Sequence, residues 1–339
     1  MGTSVKTGPR VVVEENIPFA RGVLEPYCQV SYLPAEQITN AVMRDADALV
    51  TRTRTRCDSA LLSDTDCSLV ATATIGVDHI DSAYCGRAGI TVRNVPGCNA
   101  PAVAQYVMSA LAYLREKGHD LNTLGVVGVG HVGSLVVDYA RKNGMRVLMV
   151  DPPRQAAGER GEWSDMSTVA AECDVISFHT PLTDDGKYAT RHLADAEWLD
   201  SVQHRPVIIN AARGGVVDEE ALCDALVSGK VSGAVTDCWE TEPQPGKRLL
   251  RLSDIATPHI AGYSLEGKLR ATAGALNAVA GHFQLPPLSF PFEIPGGPRD
   301  EYPFSSFPEL YDIAADSAAL KGAPDAFEAL RNHYRFRHE

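Results

Sequence analysis

Short apolar runs rich in β-branched residues recur along the chain, separated by stretches in which apolar positions fall at helical spacing. In the first third the runs are 10–13, 48–51, 69–73 and 90–93, each of a length that suits a buried strand. A long helical stretch follows at 100–117, with Val103, Val107, Ala110, Leu111 and Leu114 on one stripe and Gly118 as its stop. A second strand-helix series then begins, with strands predicted at 124–127, 146–150, 174–178, 207–210, 233–236 and 254–257. Strands that alternate with helices imply parallel sheets. The expected fold is therefore α/β, with two doubly wound parallel-sheet domains and a short C-terminal appendage.

The chain has 339 residues, more than one hydrophobic core usually serves. The expected division is a discontinuous domain at 1–98 and 263–284, a second at 99–262 and a C-terminal region at 285–339. Seven of the 21 prolines fall between 285 and 308, which marks an extended connection. Beyond it, 309–321 and 325–335 are read as short helices, too little for a domain that is stable alone.

The formal net charge of −12 argues against broad electrostatic capture of nucleic acid or of an anionic membrane surface. Any anionic ligand must be held by local groups. The eight cysteines form no CxxC pair and read as scattered buried thiols. The first ten residues lack the apolar core of a secretory signal, and no apolar run is long enough for a membrane span, so the expectation is a cytoplasmic protein. No spacing of His, Cys and acidic residues suggests a metal site.

Gly128, Gly130 and Gly133 supply G-x-G-x-x-G directly after a predicted strand, and His131 and Val132 open the helix that follows. The first glycine permits the tight turn, the second lets the backbone approach a pyrophosphate, and the third allows close helix-strand packing. The helix N-terminus then meets the phosphate charge. Asp151 ends the next strand, where a carboxylate accepts hydrogen bonds from the adenosine ribose and repels a 2'-phosphate, favouring NAD over NADP. Arg154, three residues on, is the counter-indication, since a guanidinium could pair with that phosphate.

Three further segments stand at the carboxyl ends of predicted strands: 209–218 with Arg213, 236–243 with Glu242, and 257–262 with His259. Ligands of open α/β sheets bind at that edge. The three residue types meet the needs of hydride transfer from a 2-hydroxy acid. A histidine takes the hydroxyl proton, a carboxylate fixes its tautomer and stabilises the imidazolium, and an arginine grips the substrate carboxylate in a bidentate fork. Each alone has a plain structural reading, and their succession after consecutive strands is what favours chemistry.

These segments, with Asn210-Ala-Ala-Arg-Gly-Gly215, Asp237-Cys-Trp-Glu-Thr-Glu-Pro243 and Pro258-His-Ile-Ala-Gly262, resemble the D-2-hydroxyacid dehydrogenase family. Ala71-Thr-Ala-Thr-Ile-Gly-Val-Asp-His-Ile-Asp81, Pro96-Gly-Cys-Asn-Ala100 and Phe178-His-Thr-Pro-Leu182 narrow the likeness to the branch that oxidises 4-phosphoerythronate on the route to pyridoxal 5'-phosphate. The resemblance implies a Rossmann-type NAD domain, a flavodoxin-like substrate domain, NAD as cofactor and a homodimer. It implies Arg213, Glu242 and His259 as the catalytic set. It further implies cofactor contacts from Gly128 to Gly133, Asp151, Thr180, Asp237 and Gly262, and substrate contacts at Thr53, Thr74 and Tyr263.

The chain departs from the family pattern at Ile75, where a small residue is usual, and at Gln105, which replaces an acidic residue. The expected C-terminal dimerisation region is shortened, ending after Tyr334-Arg-Phe-Arg337. A phosphorylated substrate needs positive charge, and Arg52 and Arg54, followed by Arg56, alternate with threonines and share one side if the backbone is extended. A solvated strand edge is the competing reading. Two other functions stay open: a dehydrogenase for an unphosphorylated D-2-hydroxy acid, and a non-catalytic NAD-sensing interaction protein.

Overall fold

Five strands build the sheet of the first unit: β1 (Arg10–Glu14), β2 (Gln29–Leu33), β3 (Ala48–Thr51), β4 (Leu69–Thr72) and β5 (Thr91–Arg93). All pair in parallel in the order β2-β1-β3-β4-β5, the doubly wound order of flavodoxin-like sheets. Alternation along β1 sends Val11 and Val13 to one face, where they meet Ala271, Ala275, Leu276 and Val279 of the helix Leu265–His282. Val12 turns to the other face and packs with Leu49, Met43, Leu62 and Val70. In this computed structural model residues 8–339 are described, and the first seven residues of the polar N-terminal stretch lie outside the described residues.

The unit comprises Met1–Asn99 and Leu265–Gly297, and the second comprises Ala100–Ser264 and Pro298–Glu339. The second sheet runs through β6 (Thr123–Val127), β7 (Arg146–Val150), β8 (Val175–Phe178), β9 (Val207–Asn210), β10 (Gly233–Thr236) and β11 (Ile255–Ala256). Its order is β11-β10-β9-β8-β6-β7, again all parallel, so the chain reverses direction of winding between β6 and β8. That reversal opens a crevice at the strands' carboxyl ends. The helices Ala100–Glu116 and His131–Lys142 cover one face through Tyr106, Leu111, Val136 and Tyr139. The fold class expected from the sequence is the one observed.

Two expectations change. The region 285–339 is not one appendage, because residues up to Gly297 fall in the first unit and those from Pro298 in the second. In the second unit Tyr302 packs edge-on to Tyr139 at 4.9 Å, and Leu320 and Phe327 join the cluster of Leu250 and Ala256. Ser317 Oγ accepts the Ala256 N–H at 3.0 Å, satisfying a donor on the outermost strand. Strand β2 is the other addition, half-exposed along its length and so without an apolar run to announce it. Among the described residues no helix is long and apolar enough to cross a membrane. All eight cysteines are buried and unbridged.

Candidate active site

In the second unit the glycine loop leaves β6 and enters the helix at His131, as its spacing requires. Gly128 sits at φ +87°, and a Cβ there would lie 2.8 Å from the main-chain carbon of His179. At Gly133 a Cβ would lie 2.0 Å from the Gly128 carbonyl oxygen, so only glycine lets helix and loop touch. Gly130 differs: nothing stands within 4 Å of where its Cβ would be. The fold itself places no demand on that position. His131 is exposed at the helix start, and Val132 is half-buried.

Asp151 ends β7 and caps the short helix that follows. Its Oδ2 accepts the Val129 N–H of the glycine loop at 2.8 Å, and its Oδ1 accepts the Arg154 N–H at 3.1 Å. Each oxygen keeps a lone pair for a ribose hydroxyl. Arg154 is committed elsewhere, bonded to Glu159 at 2.8 and 2.5 Å and to the Val129 carbonyl. Across the switch point, Thr180 Oγ1 and His179 Nδ1 are buried with no hydrogen-bond partner. Burial lowers the His179 pKa to about 3, so its ring is neutral. An open glycine cradle beside orphaned polar atoms fits a bound dinucleotide.

The three chemical residues stand at the ends of β9, β10 and β11. Arg213 follows β9 in a turn tied by Asn210, whose Nδ2 donates to the Arg213 carbonyl at 2.9 Å. Its own guanidinium is half-buried and donates to the Ala212 carbonyl at 2.8 Å. Gly214 brings this turn against the β10 loop, since a Cβ there would lie 2.0 Å from the Trp239 carbonyl oxygen. Glu242 closes that loop by accepting the Trp239 N–H at 3.0 Å. Both Glu242 oxygens then meet Nδ1 of His259, at 2.9 and 2.8 Å.

Burial alone lowers the His259 pKa, and the Cys238 sulfur and Glu242 carboxylate outweigh it, holding the ring well above its ordinary value. Burial likewise raises Glu242, and the bond to His259 brings it below its usual range. The pair thus favours imidazolium and carboxylate. Cys238 is fully buried, which pushes its thiol up, while the neighbouring His259 ring draws it down. Its sulfur, the Glu242 carboxylate and the His259 ring lie within 4.8 Å of one another, a donor set for a soft divalent cation that no sequence spacing announced. The occupied Nδ1 makes proton transfer the direct use of these groups.

Asp237, expected among the cofactor contacts, spends its carboxylate on its own chain. It is fully buried, and Oδ1 accepts from Thr257 Oγ1 at 2.7 Å and from the Ile260 N–H at 2.8 Å, while Oδ2 accepts the Ala261 N–H at 3.0 Å. Gly262 and Tyr263 follow in the same loop, both half-buried, with the Tyr263 N–H on the Ile260 carbonyl at 2.8 Å. Sequence reasoning missed Arg331, which approaches Glu242 at 3.7 Å and donates to the Tyr263 hydroxyl at 3.3 Å.

In the first unit the arginine cluster is not an extended strand. The chain bends after Thr51, so the side chains do not share a face by alternation. Arg52 is half-buried with the Asn16 carbonyl at 3.4 Å, Arg54 and Thr53 are exposed, and Arg56 pairs with Asp58 at 2.9 Å. The bend is organised by Glu14, a buried carboxylate that sequence reasoning passed over. Its Oε2 accepts from Thr51 Oγ1, the Arg52 N–H and Thr55 Oγ1 at 2.9, 3.0 and 3.0 Å. Thr74 bonds Thr72 at 2.8 Å and the Gly76 carbonyl at 2.7 Å, and Ile75 packs at the rim of the apolar cluster.

Residues 93–261 match the family model for the D-isomer specific 2-hydroxyacid dehydrogenase NAD binding domain. The chain is also 45% identical over 97% of its length, and 97% of the relative's, to the erythronate-4-phosphate dehydrogenase of Bacteroides fragilis. The chain belongs to the D-isomer specific 2-hydroxyacid dehydrogenase family. The erythronate-4-phosphate dehydrogenase of Serratia proteamaculans is a more distant relative, 40% identical over 97% of this chain and 93% of that one. Among solved structures, the D-lactate dehydrogenase of Aquifex aeolicus complexed with NAD and lactic acid superposes with a TM-score of 0.66 at 26% identity, covering 81% of this chain and 95% of that one. Family membership brings NAD as the cofactor of this domain.

Proposed function

We propose that this protein oxidises 4-phospho-D-erythronate at C2 to the 2-oxo acid with NAD, supplying a precursor of pyridoxal 5'-phosphate. The observation that carries the reading is the His259–Glu242 contact in a chain similar to erythronate-4-phosphate dehydrogenases along 97% of its length. NAD, when bound, accepts the hydride from C2. With Nδ1 held by Glu242, the Nε2 position of His259 is left to take the C2 hydroxyl proton. Glu242 keeps the ring in one tautomer and stabilises the imidazolium that forms. Arg213 grips the substrate carboxylate and presents one face of C2. Tyr263, Thr53 and Thr74 complete the substrate contacts, and Arg52 and Arg54 meet the phosphate from the turn that Glu14 anchors.

Gly128 to Gly133, Asp151, Thr180, Asp237 and Gly262 form the cofactor's surroundings in this reading. We place the enzyme in the cytoplasm as a homodimer. NADH formation across a panel of phosphorylated and unphosphorylated 2-hydroxy acids tests it. The expected result is a kcat/KM for 4-phosphoerythronate above that for glycerate or lactate; an unphosphorylated acid turned over as well or better contradicts it.

A further inference from the structure

His259 stands at φ +56°, in the left-handed region that a non-glycine residue enters only at a cost. The following residues must therefore be held from outside. On the N–H side the holder is Asp237, through Ile260 and Ala261. On the carbonyl side it is Arg337, whose guanidinium donates to the carbonyls of Ile260 at 3.1 Å, Ala261, and Tyr263 at 3.1 Å. Opposite charges thus grip the same two residues.

Arg337 is itself seated with care. It is 9% exposed, donates to the Ala102 carbonyl at 3.0 Å and, through Nε, to Gln105 Oε1 at 2.8 Å, and lies 4.3 Å over the Tyr311 ring. Gln105 is fully buried and returns a bond from Nε2 to the His338 carbonyl at 2.8 Å. Beside this neutral acceptor the guanidinium bonds the carbonyls of the His259 loop and the Tyr334 hydroxyl at 3.4 Å, with the Asp316 carboxylate nearby. A carboxylate at position 105 would compete with those carbonyls for it.

We infer that Arg337, seated by Gln105, is a positioning residue for the oxidation, holding the His259 loop so that the imidazole meets Glu242. This rests on His259 as acid and base. The charged and titratable groups that face His259 are Cys238, Glu242 and Asp237, with Arg331 beyond Glu242. Loosening the loop weakens the contact with Glu242 first.

The test is Arg337→Lys, which keeps the charge and loses the fork, beside Gln105→Met, a milder change that deletes the acceptor and the donor to His338 and keeps the guanidinium. Thermal melts establish that each is folded at the assay temperature. In Arg337→Lys kcat should fall about tenfold or more, as misplaced groups cost such factors, and the pH midpoint of oxidation should move down. Gln105→Met should move both in the same direction by less. NAD affinity, measured by direct titration, should stay within about twofold, because the glycine loop lies outside the clamp. Wild-type kcat and midpoint in the folded variants, or a loss confined to NAD affinity, overturns the inference. His259→Gln separates the two claims, since activity surviving there defeats the acid-base reading itself.

Discussion

Nδ1 of His259 meets both oxygens of Glu242, at 2.9 and 2.8 Å, so the ring is fixed at one nitrogen and offers the other. The Cys238 sulfur and this carboxylate together raise the histidine pKa above its ordinary 6.5 against the opposing effect of burial. Oxidation needs the neutral ring and should rise as pH passes through that raised value. Reduction of the 2-oxo acid needs imidazolium and should fall over the same range. In Glu242→Gln the charge is gone, the midpoint should move toward lower pH, and the maximal rate should fall. Profiles of kcat/KM against pH in both directions check this, and parallel profiles refute it.

Arg213→Lys keeps a cation beside the substrate carboxylate but cannot make the fork. A loss in kcat/KM of about ten- to a thousandfold is expected, or about 1.5–4 kcal/mol. NAD titration should give the wild-type affinity. Unchanged kcat/KM removes Arg213 from the mechanism.

Two glycines of the cofactor loop should separate by cause. Gly130→Ala places its methyl in open space, so melting should change little, while NAD affinity falls by about tenfold or more because the pyrophosphate needs that space. Gly133→Ala drives a methyl onto the Gly128 carbonyl and should destabilise the fold by about 1–3 kcal/mol. Melting curves and cofactor titration of the two variants decide. Equal NAD affinity in Gly130→Ala and wild type contradicts the pyrophosphate assignment.

Much of this was legible in the chain because parallel strands buried on both faces leave apolar runs, and because functional groups of such sheets stand just past those runs. Arg213, Glu242 and His259 were singled out by that rule, and the structure brings Glu242 and His259 into contact. Strand β2 was not, since its half-exposed residues carry no run. Arg337 gave no signal because its partners are mostly main-chain carbonyls, which every residue has. The arginine turn misled in another way: alternation at 52–56 speaks of a strand only if the backbone stays extended, and Glu14, remote in sequence, gathers Thr51 and Thr55 into a bend. Asp237 was placed beside the cofactor by motif, and what no motif announced is that its carboxylate also holds the His259 loop.

The central claim is that hydride leaves C2 of the phosphorylated acid for NAD, and isotope transfer reads it directly. The protein is incubated with NAD and 4-phosphoerythronate deuterated at C2, and the reduced cofactor is examined by mass spectrometry. The account predicts that the reduced nicotinamide carries the deuterium; unlabelled NADH, or no reduced cofactor at all, contradicts it.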